Sequence, residues 1–268
     1  MPQRSPTGIR TRVTRLWQYT VKPRAFELYA WIKEPALVVA TMFVSTTAIA
    51  QPFYVPSGSM EPTLQIGDGL IASKYAYGYS RYSPPFAFGP SSQTRLFERM
   101  PKRGDIVIFR QPNNPGKTLI KRLVGLPGDH VQMRNGRLSI NGKELPLKPD
   151  GVGTEEWHNG EMISVARYIE TLPNGVSHPI FKHGWDGPLD NTQVFIVPGG
   201  HLFMMGDNRD DSSDSRVPAE EDGVGYAPME NLVGRAEVIV GSYDFLGDQP
   251  DKGWFSRIRT ARFFTVLD

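Results

Sequence analysis

An uncharged run of fifteen residues, 36–50, constrains this chain most, because it separates a basic N-terminal segment from a long, turn-rich remainder. Residues 1–34 hold seven Arg or Lys and two Glu. As a helix, fifteen residues rise about 22 Å, which is short of the roughly 30 Å hydrocarbon core of a bilayer. Extending the run to 35–55 reaches the required length and includes Gln51 and Pro52. We therefore predict one N-terminal transmembrane helix over 35–55.

The charges around this segment predict its orientation. Its basic flank is entirely N-terminal, and the cytoplasmic flanks of membrane segments carry an excess of Lys and Arg. We therefore expect residues 1–34 in the cytoplasm and the chain after Val55 on the other side of the membrane. Aromatic residues at both ends are typical of interfacial belts: Phe26, Tyr29, Trp31, Phe53 and Tyr54.

Two other interpretations of the apolar run remain open. A buried core helix would leave the charge asymmetry and the aromatic flanks unexplained. A cleaved secretory signal is compatible with Ala48-Ile49-Ala50, a small-x-small pattern after an apolar run. Cleavage after Ala50 would place Ser59 nine positions into the mature chain.

The remainder of the chain favours β-structure. The 268 residues include 27 Gly and 23 Pro, and alternation with turn signals replaces helical periodicity after residue 55. We predict a mainly β fold: an antiparallel β-sheet domain over 56–268, with an inserted β-rich subdomain over 145–193, preceded by the transmembrane helix. The predicted strands are 105–109, 118–124, 138–140, 194–197 and 236–240.

Composition excludes several kinds of site. The chain has no cysteine, so it has no disulfide, thiolate metal site or cysteine nucleophile. A net charge of +2 is too small to indicate nucleic-acid binding. The polar segment 206–216 has the Asp and Asn oxygens of a calcium loop but not the EF-hand spacing. We predict no metal and no cofactor.

Ser59 is the candidate nucleophile, since it lies between Gly and Pro residues just after the apolar run. A serine hydroxyl needs a base. None of the five histidines has a recognisable triad context, although composition alone leaves a Ser/His/Asp triad open. On a strand, Lys121 shares a face with Leu119 and Leu123, where desolvation would lower its pKa. Lys74 has similar apolar neighbours, and Lys121 could also protect an edge strand.

Four segments, in this order, resemble the sequence boxes of bacterial type I signal peptidases, which are membrane-anchored serine endopeptidases of the Ser/Lys class. They are PSGSMEPTL at 56–64, RGDIVIF at 103–109, KRLVGLPGD at 121–129 and GDNRDDSSDSR at 206–216. The resemblance runs from about residue 36 to Arg216. Three departures are Asp211, where Asn is common in the family, Glu61, which follows Met60 where the residue varies, and one membrane segment where many Gram-negative members have two.

The resemblance implies a set of roles. Ser59 would be the nucleophile and Lys121 the general base, acting through an acyl-enzyme. Ser57 would contribute its hydroxyl to the oxyanion hole, with the Ser59 backbone N–H, and Ser212 would orient the Lys121 amine. Ion pairs would stiffen the surroundings through Arg122, Asp207, Asp214 and Arg216.

The resemblance also implies the substrates and the location. The family removes N-terminal signal peptides from secretory preproteins, cleaving after small residues at the first and third positions before the bond. Secretory preproteins and the lipid bilayer would be the partners of a single-pass protein of the bacterial inner membrane, with a periplasmic catalytic domain; we expect a monomer that binds no nucleic acid. The shallow substrate pockets would be lined by Phe53, Pro56, Met60 and Ile120.

Three functions other than removal of signal peptides differ in what they would require of this sequence. A related peptidase that matures pilin or conjugation proteins would use the same dyad. A non-catalytic, membrane-anchored domain that binds secreted peptides would not require both Ser59 and Lys121. A self-cleaving repressor of the Ser/Lys type would require a DNA-binding domain where this chain has a membrane segment.

Overall fold

The structure is a computed structural model, and the chain divides into two compact units, Met1–Ser45 and Thr46–Asp268. The predicted cytoplasmic segment 1–34 lies almost wholly outside the described residues. These residues are 29, 31–84, 95–157, 161–245 and 254–267.

The apolar run forms a helix that ends before the predicted boundary. The helix covers 31–48, and residues Ala50–Tyr54 form a strand instead of continuing it. Pro52 has no N–H to donate within a helix, whereas the edge strand of a sheet tolerates it. The predicted helix over 35–55 is therefore wrong after residue 48. In the part of the chain that the structure describes, no helix is both long enough and apolar enough to cross a membrane.

Fifteen strands are present in the described residues. They are β1 (Ala50–Tyr54), β2 (Asp68–Ser73), β3 (Ile106–Arg110), β4 (Thr118–Gly125), β5 (His130–Arg134), β6 (Arg137–Ile140), β7 (Lys143–Glu144), β8 (Leu147–Glu156), β9 (Met162–Thr171), β10 (Ser177–Lys182), β11 (Phe195–Ile196), β12 (His201–Met205), β13 (Ala227–Pro228), β14 (Leu232–Ser242) and β15 (Thr265–Val266). Each of the five predicted strands overlaps one of them, with different bounds.

The strands form three antiparallel sheets. The largest has the order β1-β2-β14-β3-β4-β12-β13, and β15 also pairs with β14. A second sheet has the order β10-β9-β8, and a third has the order β11-β5-β6-β7. The mainly β, antiparallel fold is thus confirmed. The sheet β8-β9-β10 lies within 145–193, the segment that is predicted to be an inserted β-rich subdomain.

The central strand β3 is buried on both faces, because apolar residues occupy its first four positions. Ile106 and Ile108 pack in one core cluster, whereas Val107 and Phe109 pack in another. Lys121 on β4 lies opposite Val107. β4 lies between β3 and β12, but its pairing with β12 ends at Arg122, so Lys121 is paired on the β3 side alone.

Candidate active site

Ser59 lies on a short turn that two buried side chains anchor. A single 3-10 turn, Gly58–Met60, follows Ser57, whose backbone is extended. Val55 before the turn and Met60 within it are buried in the same core cluster. Ser59 between them stays partly exposed. The turn therefore holds a reactive hydroxyl at the surface while its neighbours are fixed in the core.

The amine of Lys121 reaches this hydroxyl. Its Nζ lies 2.5 Å from Ser59 Oγ, and the Lys121 side chain is only 3% exposed. Burial lowers the pKa of Lys121 from 10.5 to about 8, against the opposing effect of the Asp214 carboxylate. With this pKa about a tenth of the amine is neutral at pH 7 and about half at pH 8, and the neutral form can accept a proton.

Lys74, the other candidate base, has a different partner. Burial also lowers its pKa to about 8. Its Nζ donates a 2.8 Å hydrogen bond to Gln51 Oε1 instead of contacting a serine hydroxyl. A lowered pKa alone does not distinguish the two lysines, but the distance to Ser59 does.

No described histidine is hydrogen-bonded to Ser59. His183 Nε2 lies 2.5 Å from Glu155 Oε1, and His201 bonds the Gly199 carbonyl. His178 is buried beside Asp207 and Glu170, and burial lowers its pKa to about 4. His158 lies outside the described residues. The described residues therefore provide Ser59 with a lysine partner and no histidine partner.

The predicted ion pairs are present and buried. Arg122 donates two 2.8 Å hydrogen bonds to the two carboxylate oxygens of Asp207. Arg216 binds Asp214 in the same two-pronged way, at 2.9 and 2.8 Å. Thr63, four residues after Ser59, donates to Asp207 at 2.5 Å. Asp207 therefore connects Arg122 of β4 to Thr63, in the segment that follows the nucleophile turn.

The polar segment 206–216 contacts the nucleophile turn directly. The backbone N–H of Asn208 donates to the Ser59 carbonyl at 3.2 Å. A Cβ at Gly206 would lie 2.4 Å from that carbonyl oxygen and 2.2 Å from Ser212 Oγ. Only glycine fits at this position, because either contact is shorter than real Cβ atoms allow.

Two residues with predicted hydrogen-bonding roles, Ser212 and Ser57, lie near the Ser59–Lys121 pair. Ser212 is buried, and its Oγ has no hydrogen-bond partner among the described residues. Its predicted bond to Lys121 is therefore absent from this structure, in which the Lys121 amine is directed to Ser59. Ser57 is exposed and lines both clefts beside Ser59.

Two clefts meet at the Ser59–Lys121 pair. The first, which we name the apolar cleft, has a volume of about 460 Å³. Its lining includes the pair and all four predicted pocket residues: Phe53, Pro56, Met60 and Ile120. The second, which we name the acidic cleft, has a volume of about 520 Å³. Besides the pair, its lining includes four carboxylate residues: Glu61, Glu155, Asp211 and Asp222.

Residues of the sheet β8-β9-β10 bind the polar segment, which the sequence did not predict. Arg209 forms a two-pronged, fully buried ion pair with Glu170 of β9. Lys182 of β10 contacts Asp210 at 2.6 Å. Glu155 of β8 accepts a 2.7 Å hydrogen bond from Asn208. These partners are 28 to 53 positions apart, and the sequence around Glu155 and Glu170 contains no motif that would have revealed them.

No group of three or more His, Asp or Glu side chains that could hold a metal ion occurs in the described ranges.

Two kinds of sequence comparison, with a family model and with curated relatives, agree with each other. The family model described as signal peptidase, peptidase S26, matches residues 28–241. Signal peptidase I of Rickettsia felis is 41% identical over 249 residues, which cover 87% of this chain and 90% of that protein. Signal peptidase I of Rickettsia akari is 41% identical over 211 residues, 76% of each chain. A crystal structure of signal peptidase I from Enterococcus faecalis aligns with a TM-score of 0.30 and 27% identity, covering 51% of this chain and 97% of that one.

Proposed function

This chain belongs to the signal peptidase family, peptidase S26, and is a serine endopeptidase that removes signal peptides; on that premise we propose that Ser59 is its nucleophile and Lys121 its general base. The observation that carries this proposal is the 2.5 Å distance between Lys121 Nζ and Ser59 Oγ. The lowered pKa of Lys121 supports it, because a neutral amine is required.

The chemistry follows from this geometry. The neutral Lys121 amine takes the hydroxyl proton as Ser59 Oγ bonds to the scissile carbonyl carbon. The resulting Lys121 ammonium gives that proton to the leaving nitrogen, and the C–N bond breaks to leave an ester on Ser59. Water then loses a proton to Lys121 and attacks the ester carbonyl. The proton returns to Ser59 Oγ as the acid is released.

The oxyanion of each tetrahedral intermediate requires donors. We propose that these are the Ser57 hydroxyl and the Ser59 backbone N–H. Ser57 lies two residues before the nucleophile and lines both clefts, which supports this role. Preorganised donors of this kind contribute about 3–4 kcal/mol each in acyl-transfer enzymes.

The charged residues around the Ser59–Lys121 pair have a positioning role and take no part in proton transfer. We propose that the pairs Arg122–Asp207 and Arg216–Asp214 keep β4 and the polar segment in place around the dyad. Both pairs are buried and two-pronged, which restricts their geometry more than a single contact would. Ser212, buried beside Gly206, would orient the Lys121 amine during the reaction.

The substrate is the secretory preprotein. We propose that the small side chains before the scissile bond enter the apolar cleft, which Phe53, Met60 and Ile120 line. We also propose that 36–50 anchors the chain in the bacterial inner membrane, with 1–34 cytoplasmic and the catalytic domain periplasmic. The uncharged run and its basic N-terminal flank support this orientation.

The test is incubation of the detergent-solubilised protein with a secretory preprotein, followed by N-terminal sequencing of both chains. We expect one cut, after a small residue, and no cut with Ser59→Ala. Cleavage by purified Ser59→Ala at the wild-type rate would contradict the nucleophile assignment. Sequencing of the enzyme itself shows whether it is cut after Ala50.

A further inference from the structure

The acidic cleft has a different character from the apolar cleft, although both contain Ser59 and Lys121. Its carboxylates are Glu61, Glu155, Asp211 and Asp222, and its second lysine is Lys117. Lys117 is directed to Asp222, with an Nζ–Oδ2 distance of 3.3 Å. Glu155 contacts His183 and Asn208. Glu61 has no ion pair within the described residues.

Glu61 is in an environment that favours a cationic partner. Burial and, to a smaller extent, repulsion by the nearby Glu155 carboxylate together raise its pKa to about 7, against the opposing effects of the Ile66 backbone N–H and of Arg259 and Arg262. The Glu61 carboxyl lies next to Gly58, which precedes the nucleophile: a Cβ at Gly58 would be 3.5 Å from Glu61 Cδ. A positive charge placed in this cleft would relieve that repulsion.

Asn208 provides the acidic cleft with a buried acceptor that has no donor among the described residues. Its side chain lines the same cleft, and the residue is only 1% exposed. Its Nδ2 donates to Glu155 at 2.7 Å, which defines the orientation of the amide. The other amide atom, Oδ1, is buried and has no hydrogen-bond partner among the described residues. A buried acceptor without a donor is unfavourable, so this atom is suited to a donor that arrives with the substrate.

The two clefts give a bound substrate two directions in which to extend from the scissile bond. A substrate whose carbonyl lies at Ser59 extends into both clefts, because both include Ser59 and Lys121. The residues before the bond belong to the signal peptide and match the apolar lining of the first cleft. The residues after the bond belong to the mature protein and remain for the acidic cleft.

We propose that the acidic cleft binds the first residues after the scissile bond and selects basic over acidic side chains there, with Glu61 as the specificity-determining residue. Asn208 Oδ1 accepts a hydrogen bond from a donor of the same substrate segment. This inference rests on the proposed function of the Ser59–Lys121 pair and adds a preference that the pair itself does not determine.

The test uses the full-length protein in detergent and three peptides. The peptides share one signal sequence and differ only at the second residue after the cut, which is Lys, Gln or Glu. We expect kcat/KM to decrease in that order, by about tenfold from Lys to Glu, as one partly buried charge pair would produce. We expect raised salt to reduce this ratio, because ions screen charges at a partly open site.

Glu61→Gln keeps the size of the side chain and removes its charge, so it should reduce the Lys-to-Glu ratio to about twofold. Glu144→Gln is the matched control, because Glu144 is exposed on β7 and pairs with Arg137, away from both clefts. It should leave the ratio unchanged.

Each outcome bears on a different claim. Equal kcat/KM values for the three peptides in the wild-type protein, or a preference for Glu, would overturn the cleft proposal and leave the dyad intact. An unchanged ratio in Glu61→Gln would overturn the role of Glu61. Failure of the wild-type protein to cleave any of the peptides, or cleavage that survives Ser59→Ala, would instead contradict the proposed function.

Discussion

Lys121 Nζ and Ser59 Oγ lie 2.5 Å apart, although the two residues are separated by 62 positions in the chain. Lys121 is on an interior strand of the largest sheet, and Ser59 is on a turn anchored in the core cluster beside it. The distance is therefore held by the packing of the sheet. Proton transfer from Ser59 to Lys121 therefore depends on the charge and the pKa of this one amine.

Substitution of Lys121 by arginine should abolish proteolysis. Arginine keeps the positive charge and stays protonated at every pH at which the enzyme is folded, so it cannot accept the Ser59 proton. We expect kcat to fall by at least about 10³-fold, in the range of a lost general base. Peptide cleavage measures the loss, and circular dichroism checks the fold. Substantial activity in Lys121→Arg would contradict the base assignment.

The pH dependence of activity should follow the Lys121 amine. Burial lowers its pKa to about 8, and only the unprotonated amine acts as a base. Below this pKa the amine is protonated, so kcat/KM should rise with pH through about 8 and then level off. Cleavage of one peptide from about pH 6 to about pH 10 measures the profile. A flat profile across this range would exclude Lys121 as the titrating base.

Removal of the Ser57 hydroxyl should reduce turnover more than binding. If Ser57 stabilises the oxyanion, Ser57→Ala should lower kcat by about 10²–10³-fold and change KM little. Steady-state kinetics with a short peptide separates the two parameters. Ser57→Thr retains a hydroxyl and should recover part of the rate. A raised KM with normal kcat would indicate that Ser57 only binds substrate.

Loss of one partner of the buried Arg122–Asp207 pair should destabilise the fold. Asp207→Asn leaves the Arg122 guanidinium buried without its counter-charge, which typically costs about 3–5 kcal/mol. The exposed pair Arg137–Glu144 is the control, and Glu144→Gln should change the free energy of unfolding by less than about 1 kcal/mol. Urea unfolding compares the two variants. Equal small effects would contradict the importance of the buried pair.

A methyl group at Gly206 should displace the nucleophile turn. It would lie 2.4 Å from the Ser59 carbonyl oxygen, so Gly206→Ala requires that backbone to move. We expect loss of activity together with lower stability. Gly199→Ala is the matched control, because nothing lies within 4 Å of a Cβ at that position. Normal cleavage by Gly206→Ala would show that the backbone at Ser59 can move to accommodate the methyl group without loss of the active geometry.

The site residues were recognisable in the sequence because their signals are local. Ser59 is identified by its neighbours in PSGSMEPTL, and Lys121 by its place at the start of KRLVGLPGD, since apolar neighbours alone do not separate it from Lys74. The strand assignments depend on a period of two residues, which is equally local. The alternation of apolar residues on β4 predicted that Lys121 would lie on an apolar face and lose solvent. Its amine is buried, and burial lowers its pKa.

The sequence did not predict contacts between distant segments. The helix was predicted to continue to Val55 because the apolar run alone is too short to cross a bilayer, but pairing with β2 makes Ala50–Tyr54 a strand. Nothing near Glu170 indicated that it would meet Arg209, 39 positions away. Such pairings depend on how the sheets pack, and the residues that form them carry no short-range pattern.

The sequence alone therefore determined the family resemblance, the antiparallel β character and the identities of the candidate serine and lysine. These follow from residue types and short-range periodicity, which a linear chain displays directly. The resemblance had already selected Lys121, and only the tertiary structure decided that its amine reaches Ser59, since Lys74 and Lys121 are both buried with lowered pKa values. It also decided that two clefts of different charge meet at that serine, because each cleft is assembled from segments far apart in the chain.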